Sequence, residues 1–151
     1  MRYTLLFTIA VLFFGGCKKD KFTTEPQIKY KSISPTSVSV VSGGADPVLT
    51  IHVTDAEGDV GITTKDTAFI YMKNLLTNDF DSLPFPDLQT AAKSNFEADV
   101  DITTTKVFKC RSLPGGQLHT DTLYFEIYIK DFAKNKSNVI RTDQPVYFTC
   151  F

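Results

Sequence analysis

The chain has 151 residues, 42% of them hydrophobic, with 16 basic and 17 acidic side chains and a formal charge of −1. That length is enough for one domain of ordinary size with a real core. The near-neutral balance excludes a nucleic-acid binder that works through a basic patch, and no charge run is long enough for an interaction tail.

Arg2 precedes a nearly unbroken apolar run from Leu5 to Phe14. A helix needs ~20 such residues to cross a ~30 Å hydrocarbon core, so this run has the length of a secretory apolar segment. Phe14-Gly15-Gly16-Cys17 then resembles the lipobox of bacterial lipoproteins, with Phe14 where that family most often has leucine. The resemblance implies that residues 1–16 are a signal peptide, and that Cys17 becomes the first residue and carries diacylglyceryl and palmitate-type chains. Each buried CH₂ of such chains contributes ~0.8 kcal/mol. The alternative is an ordinary secretory signal with a chance cysteine. Lys18, Lys19 and Asp20 continue as a polar tether over residues 17–27. Cys17-Lys18-Lys19-Asp20 is similar to the start of surface-exported lipoproteins of Bacteroidota-type bacteria. The implied place is the outer membrane, with its surface and periplasmic sides both open.

Removing residues 1–16 from 151 leaves 135, of which residues 28–151 form the expected domain. Short segments at Ile28–Ile33 and Ser37–Val41 come first. Leu49, Ile51 and Val53 then alternate with Thr50, His52 and Thr54. Ala68–Lys73 is a further short candidate. The run Thr77–Asp87 is a longer excursion that Pro84 and Pro86 exclude from a central strand, leaving an edge cover or a binding loop. Leu88–Ser94 is the best helical candidate, of two turns at most. Phe96, Ala98, Val100 and Ile102 alternate with acids, and Lys106–Ser112 is another short strand candidate. Leu123, Phe125, Ile127 and Ile129 alternate with polar or amphipathic neighbours, as do Val146, Phe148 and Cys150. Turn residues at 42–44, 57–59, 113–116 and 134–136 separate them. The expected class is all-β, an antiparallel β-sandwich of about seven or eight strands.

The order of elements resembles the immunoglobulin-like domains of Bacteroidota-type lipoproteins. Val53-Thr54-Asp55-Ala56-Glu57-Gly58-Asp59-Val60-Gly61 looks like their acidic turn after the second strand. Ile129-Lys130-Asp131-Phe132-Ala133-Lys134-Asn135-Lys136-Ser137-Asn138 looks like their turn near the end, with Ala133-Lys134 in place of the usual alanine-glycine. That topology implies that both turns lie at one end. Asp55, Glu57, Asp59, Asp131 and Asn135, with Asn138 beside them, are then candidate ligands of a structural calcium ion. The acidic turn is not an EF-hand, because Val60 stands where that loop needs glycine. The alternative is a solvated turn in which Asp55 bonds its own backbone.

The three cysteines leave Cys110 and Cys150 as a pair once Cys17 is set aside. In an exported chain they point to a disulfide, worth ~4 kcal/mol in the chain-entropy model. Two free buried thiols are the alternative, and the pair is too sparse for zinc. Asp66-Thr67-Ala68, Asp81-Ser82-Leu83 and Asp121-Thr122-Leu123 resemble the acceptors that exported Bacteroidota-type proteins O-glycosylate, which implies Thr67, Ser82 and Thr122. No nucleophile, zinc-helix or phosphate-loop motif occurs. His52 falls on the polar face of a strand and His119 in a turn, both expected in solvent. Asp99 and Asp101 share one strand face, which in principle suits acid–base work. The expected role is a non-catalytic envelope module that docks to another envelope protein, or else a glycan-binding accessory of a nutrient-uptake system, with Tyr71, Phe80, Phe85, Tyr124 and Tyr128 as aromatic candidates.

Overall fold

The computed structural model describes residues 21–63, 65–87, 94–103 and 106–151. Cys17 and residues 88–93, which held the helical candidate, lie outside them. The described residues are all-β without a helix, so none is long and apolar enough to cross a membrane. Ten strands occur among them: β1 (Gln27–Ser34), β2 (Ser37–Ser39), β3 (Val48–Asp55), β4 (Phe69–Asn74), β5 (Phe80–Pro84), β6 (Phe96–Thr103), β7 (His119–Leu123), β8 (Phe125–Lys130), β9 (Ile140–Arg141) and β10 (Val146–Cys150).

They form three hydrogen-bonded sheets, ordered β1-β3-β6, β2-β10-β7 and β5-β4-β8-β9. Every pairing between these strands is antiparallel except that of β2 with β10. The count exceeds the expected seven or eight because β5 and β9 lie where alternation predicts no strand and the run around Tyr124 is split in two, while Lys106–Ser112 is not a strand. Tyr124 alone separates β7 from β8, and residues 142–145 separate β9 from β10. β7 pairs with β10, whereas β8, one residue later, pairs with β4 and β9.

Strand alternation sets the core. Leu49, Ile51 and Val53 of β3 are fully buried, and their partners Ile102, Val100 and Ala98 on β6 point the same way. Ile70 and Met72 of β4 and Phe125, Ile127 and Ile129 of β8 enter the same apolar cluster from the other side. Leu123, Val146 and Phe148 complete it. At ~25 cal/mol per Å² of apolar surface, this shared cluster is the main favourable term.

Two expectations are corrected here. Residues 106–112 are not a strand: Val107 and Phe108 are buried as a core-filling loop. Asn74 explains why, because its fully buried amide Nδ2 donates to the carbonyls of Val107 (2.9 Å) and Lys109 (3.3 Å). Its Oδ1 accepts from the backbone of Leu76 and Thr77, so all of its capacity is used on loop backbone. The excursion 77–87 contains β5, an edge strand that admits Pro84, followed by a fully buried Phe85. Phe85 is therefore a core residue and not an exposed aromatic.

Asn74→Ala leaves four loop groups without that partner and is expected to cost about 1–3 kcal/mol in chemical denaturation, with an unchanged m-value.

Candidate functional site

β3 ends at Asp55 in one sheet, and β8 ends just before Asp131 in another. The turns that follow meet, and the Phe132 N–H donates to the Asp59 carbonyl at 3.0 Å. Asp55 and Asp131 are both fully buried. Each spends one carboxylate oxygen on its own turn: Asp55 Oδ2 accepts from the Asp59 N–H (3.0 Å), and Asp131 Oδ1 from the Asn135 N–H (2.8 Å). The solvated-turn alternative thus describes only half of each carboxylate. The remaining oxygens, Asp55 Oδ1, Asp59 Oδ1 and Asp131 Oδ2, are buried without a hydrogen-bond partner. One donor oxygen from each of the three aspartates lies within 4.8 Å of the others.

Burial, and then the nearby Asp59 carboxylate, pushes Asp55 up to about 7. Burial likewise raises Asp131, against the hydrogen bonds from Asn135 that lower it. A pocket of this kind takes up protons or a hard cation. Of the other expected ligands, Glu57 is exposed on the turn, and Asn135 supports Asp131 through its N–H. Asn138 has a different task. Its side chain accepts from the Ile28 N–H (2.8 Å) and donates to the Ile28 carbonyl (2.9 Å), tying β1 to the turn. Ser137 Oγ accepts from the Ile129 N–H at 2.9 Å.

The outer face of β1-β3-β6 carries a groove of about 460 Å³ that includes Lys21, Lys29, His52 and Glu97. His52 is not left to solvent. Its Nδ1 lies 2.7 Å from Asp99 Oδ1 and its Nε2 lies 3.2 Å from Glu97 Oε1. Lys21 bonds Glu97, Lys31 sits 3.5 Å from Asp99, and Thr50 Oγ1 donates to Asp101 at 2.7 Å. Lys21 holds Glu97 below its usual range, and the His52 hydrogen bond does the same for Asp99. That is opposite to the upward shift a carboxyl needs to act as an acid near neutrality.

The outer face of the four-stranded sheet is aromatic and basic. Tyr71 and Tyr128 stack across strands with centroids 4.7 Å apart and planes 9° from parallel. Phe80 lies on Tyr71 at 5.9 Å, and Lys136 Nζ sits 4.1 Å from the Tyr128 centroid. Arg141 covers Tyr124 at 4.5 Å. These rings spend faces on each other and on cations.

Cys110 and Cys150 form a disulfide with Cα atoms 6.4 Å apart, within the span such a bond needs. Sequence distance misjudged this neighbourhood, because His119 stands with the two sulfurs, one donor atom of each within 4.8 Å. Bonded sulfurs offer no thiolate to a metal. His119 starts β7 and not a turn, and its side chain is largely buried beside Asp121. The Asp121 carboxylate is fully buried, and burial raises its pKa, but the Arg111 hydrogen bonds at 2.6 and 2.9 Å outweigh that and lower it. Ser82 and Thr122 are exposed and Thr67 half-buried.

Comparison with protein-family models, with curated proteins and with solved structures gives no match to this chain.

Two outcomes follow from the turns. In chelator, the folded chain holds the Asp55 proton more tightly than the unfolded chain, whose aspartates titrate near ~3.9. The contribution of that proton to stability is full below about pH 4 and is lost as pH rises towards about 7. Thermal denaturation across that window should show Tm falling with pH, and Asp55→Asn should flatten the slope. Lys134 adopts φ +72°, the left-handed conformation that glycine accepts without a Cβ clash. Lys134→Gly is expected to raise stability by about 0.5–1 kcal/mol, read by urea denaturation.

Proposed function

We propose that this chain is a non-catalytic, lipid-anchored module of a bacterial cell envelope, built on an immunoglobulin-like sandwich, that docks to another envelope protein. The pairing of β7 with β10 and of β8 with β9 supports the fold reading. Taking β7 with β8, and β9 with β10, as single bent strands leaves eight strands in two layers, β1-β3-β6 against the rest. The anchor reading rests on Phe14-Gly15-Gly16-Cys17.

The observation that carries docking is an apolar pole. β10 ends where β7 begins, and the pairing of Cys150 with His119 makes Phe151 and Leu118 the next cross-strand neighbours. Both are 61% exposed. Val40 and Val41, more than half exposed, follow β2 at the same edge, where the Val40 N–H bonds the Thr149 carbonyl. Exposed apolar side chains clustered this way favour a protein partner. The chain enters the fold at the opposite end, where the Thr23 carbonyl accepts from the Ala56 N–H. An anchor on Cys17 would therefore hold the acidic turns towards the membrane and the apolar pole away from it.

A glycan platform needs an open ring face. Tyr71 and Tyr128 face each other, with Phe80 and Lys136 on their outer sides, and this favours the protein reading.

A photo-crosslinking residue in place of Leu118 is expected to give a specific adduct with one envelope protein in intact cells. The same residue in place of Lys31, on the far sheet, should give none. Equal labelling from both positions, or none from position 118, counts against the docking reading. Loss of metabolic palmitate labelling in Cys17→Ala tests the anchor separately.

A further inference from the structure

The three unpartnered oxygens at the meeting of the turns carry an inference of a different kind. A cluster of acids alone says little, since exposed acids gather on many surfaces. This one is distinguished by burial and by direction. Asp55 and Asp131 have no exposed surface, yet one oxygen of each lacks any hydrogen bond. Asp59 contributes a third oxygen in the same condition. The other oxygens of Asp55 and Asp131 are fixed by turn N–H groups, so the free ones are held in place and not merely left over. Burying partnerless carboxylate oxygens is costly, and one carboxylate oxygen of each of the three residues lies within 4.8 Å of the others.

We propose that Asp55, Asp59 and Asp131 bind one calcium ion, which ties the turn after β3 to the turn after β8. Hard cations choose carboxylate oxygens, and calcium binds them at ~2.3–2.6 Å. Oxygens within 4.8 Å of one another can all reach a single ion at such distances. Calcium tolerates the irregular geometry that two turns offer, whereas magnesium demands a near-ideal octahedron and keeps its waters. Backbone carbonyls and water would complete the shell. The ligand set thus differs from the sequence expectation: Glu57 and Asn135 stand outside it.

The ion would reinforce a junction that the backbone makes through the bond from the Phe132 N–H to the Asp59 carbonyl. Ala56, between two of the ligands, also receives the incoming chain through Thr23. Filling the site would therefore stiffen both the contact between layers and the point at which the chain enters the fold.

The test uses the full-length chain in detergent, stripped with chelator and then titrated with calcium chloride at pH 7.5. Calorimetry should show one ion per chain, and Tm should rise to a plateau. Asp131→Asn and Asp59→Asn should each weaken binding tenfold or more. Their metal-free Tm should equal or exceed that of the parent, because each removes a charge from a crowded, buried site. Glu57→Gln, on the exposed part of the turn, should bind as the parent does. No saturable response up to about 10 mM calcium, well above the ~10⁻³ M of weak extracellular sites, overturns the proposal. So does a full response in both aspartate variants, or a loss in Glu57→Gln equal to theirs. Equal affinity for magnesium overturns the choice of calcium.

Discussion

Two turns from different sheets meet at one end of this molecule, and the need to satisfy buried polar groups there governs what surrounds them. Asp55, the last residue of β3, and Asp131, the residue after β8, are both fully buried. Once inside, each carboxylate must find partners, since a buried charge without them is among the most costly features a fold can carry. Turn N–H groups satisfy one oxygen of each. The same stretch then reaches outward. Ser137 bonds the Ile129 N–H, and Asn138 clasps Ile28 on a strand 110 residues away. The result is one junction of four chain segments: the chain entry, β1, the acidic turn and the late turn.

The opposite end has the reverse character. There the chain leaves Leu118, Phe151, Val40 and Val41 in solvent, while a disulfide ties Cys150 at the end of β10 to Cys110 in the core-filling loop. Partnerless carboxylate oxygens are buried at one pole, and apolar groups are exposed at the other, where the buried Asp121 is paired with Arg111. Between the poles, both outer faces carry local pairs. His52, Lys31 and Lys21 answer Glu97 and Asp99 on one face. On the other, tyrosines stack on each other and under cations. Groups already engaged in this way offer less to a ligand than their residue types imply.

Much of this is legible in residue order. Alternation locates β3, β6, β8 and β10 and assigns their inward residues, because a strand's period of two follows from backbone geometry alone. Lys106–Ser112 fails for a reason outside that rule. Its apolar residues are buried, but Asn74 takes the carbonyls of Val107 and Lys109 that a neighbouring strand would otherwise use. The break at Tyr124 is equally hidden, since alternation continues through it from Leu123 to Phe125 while the pairing partners change. One signal in the sequence was missed. His119 and Asp121 share parity with Leu123, so strand alternation places them on the inward face, where the structure sets them beside Arg111 and the cysteines.

Residue order by itself determined the all-β class, the inward faces of the long strands and the two acidic or amide-rich turns, because these depend on contacts a few residues apart. Lys134 belongs to the same local level: its backbone is left-handed, a conformation that glycine accepts more readily. Only the tertiary structure decided which acids converge. Asp55, Glu57 and Asp59 look equivalent in sequence, yet Asp55 and Asp59 turn inward towards Asp131 and Glu57 turns out. That choice depends on how two sheets approach each other across residues more than seventy positions apart, a relation that no local pattern encodes.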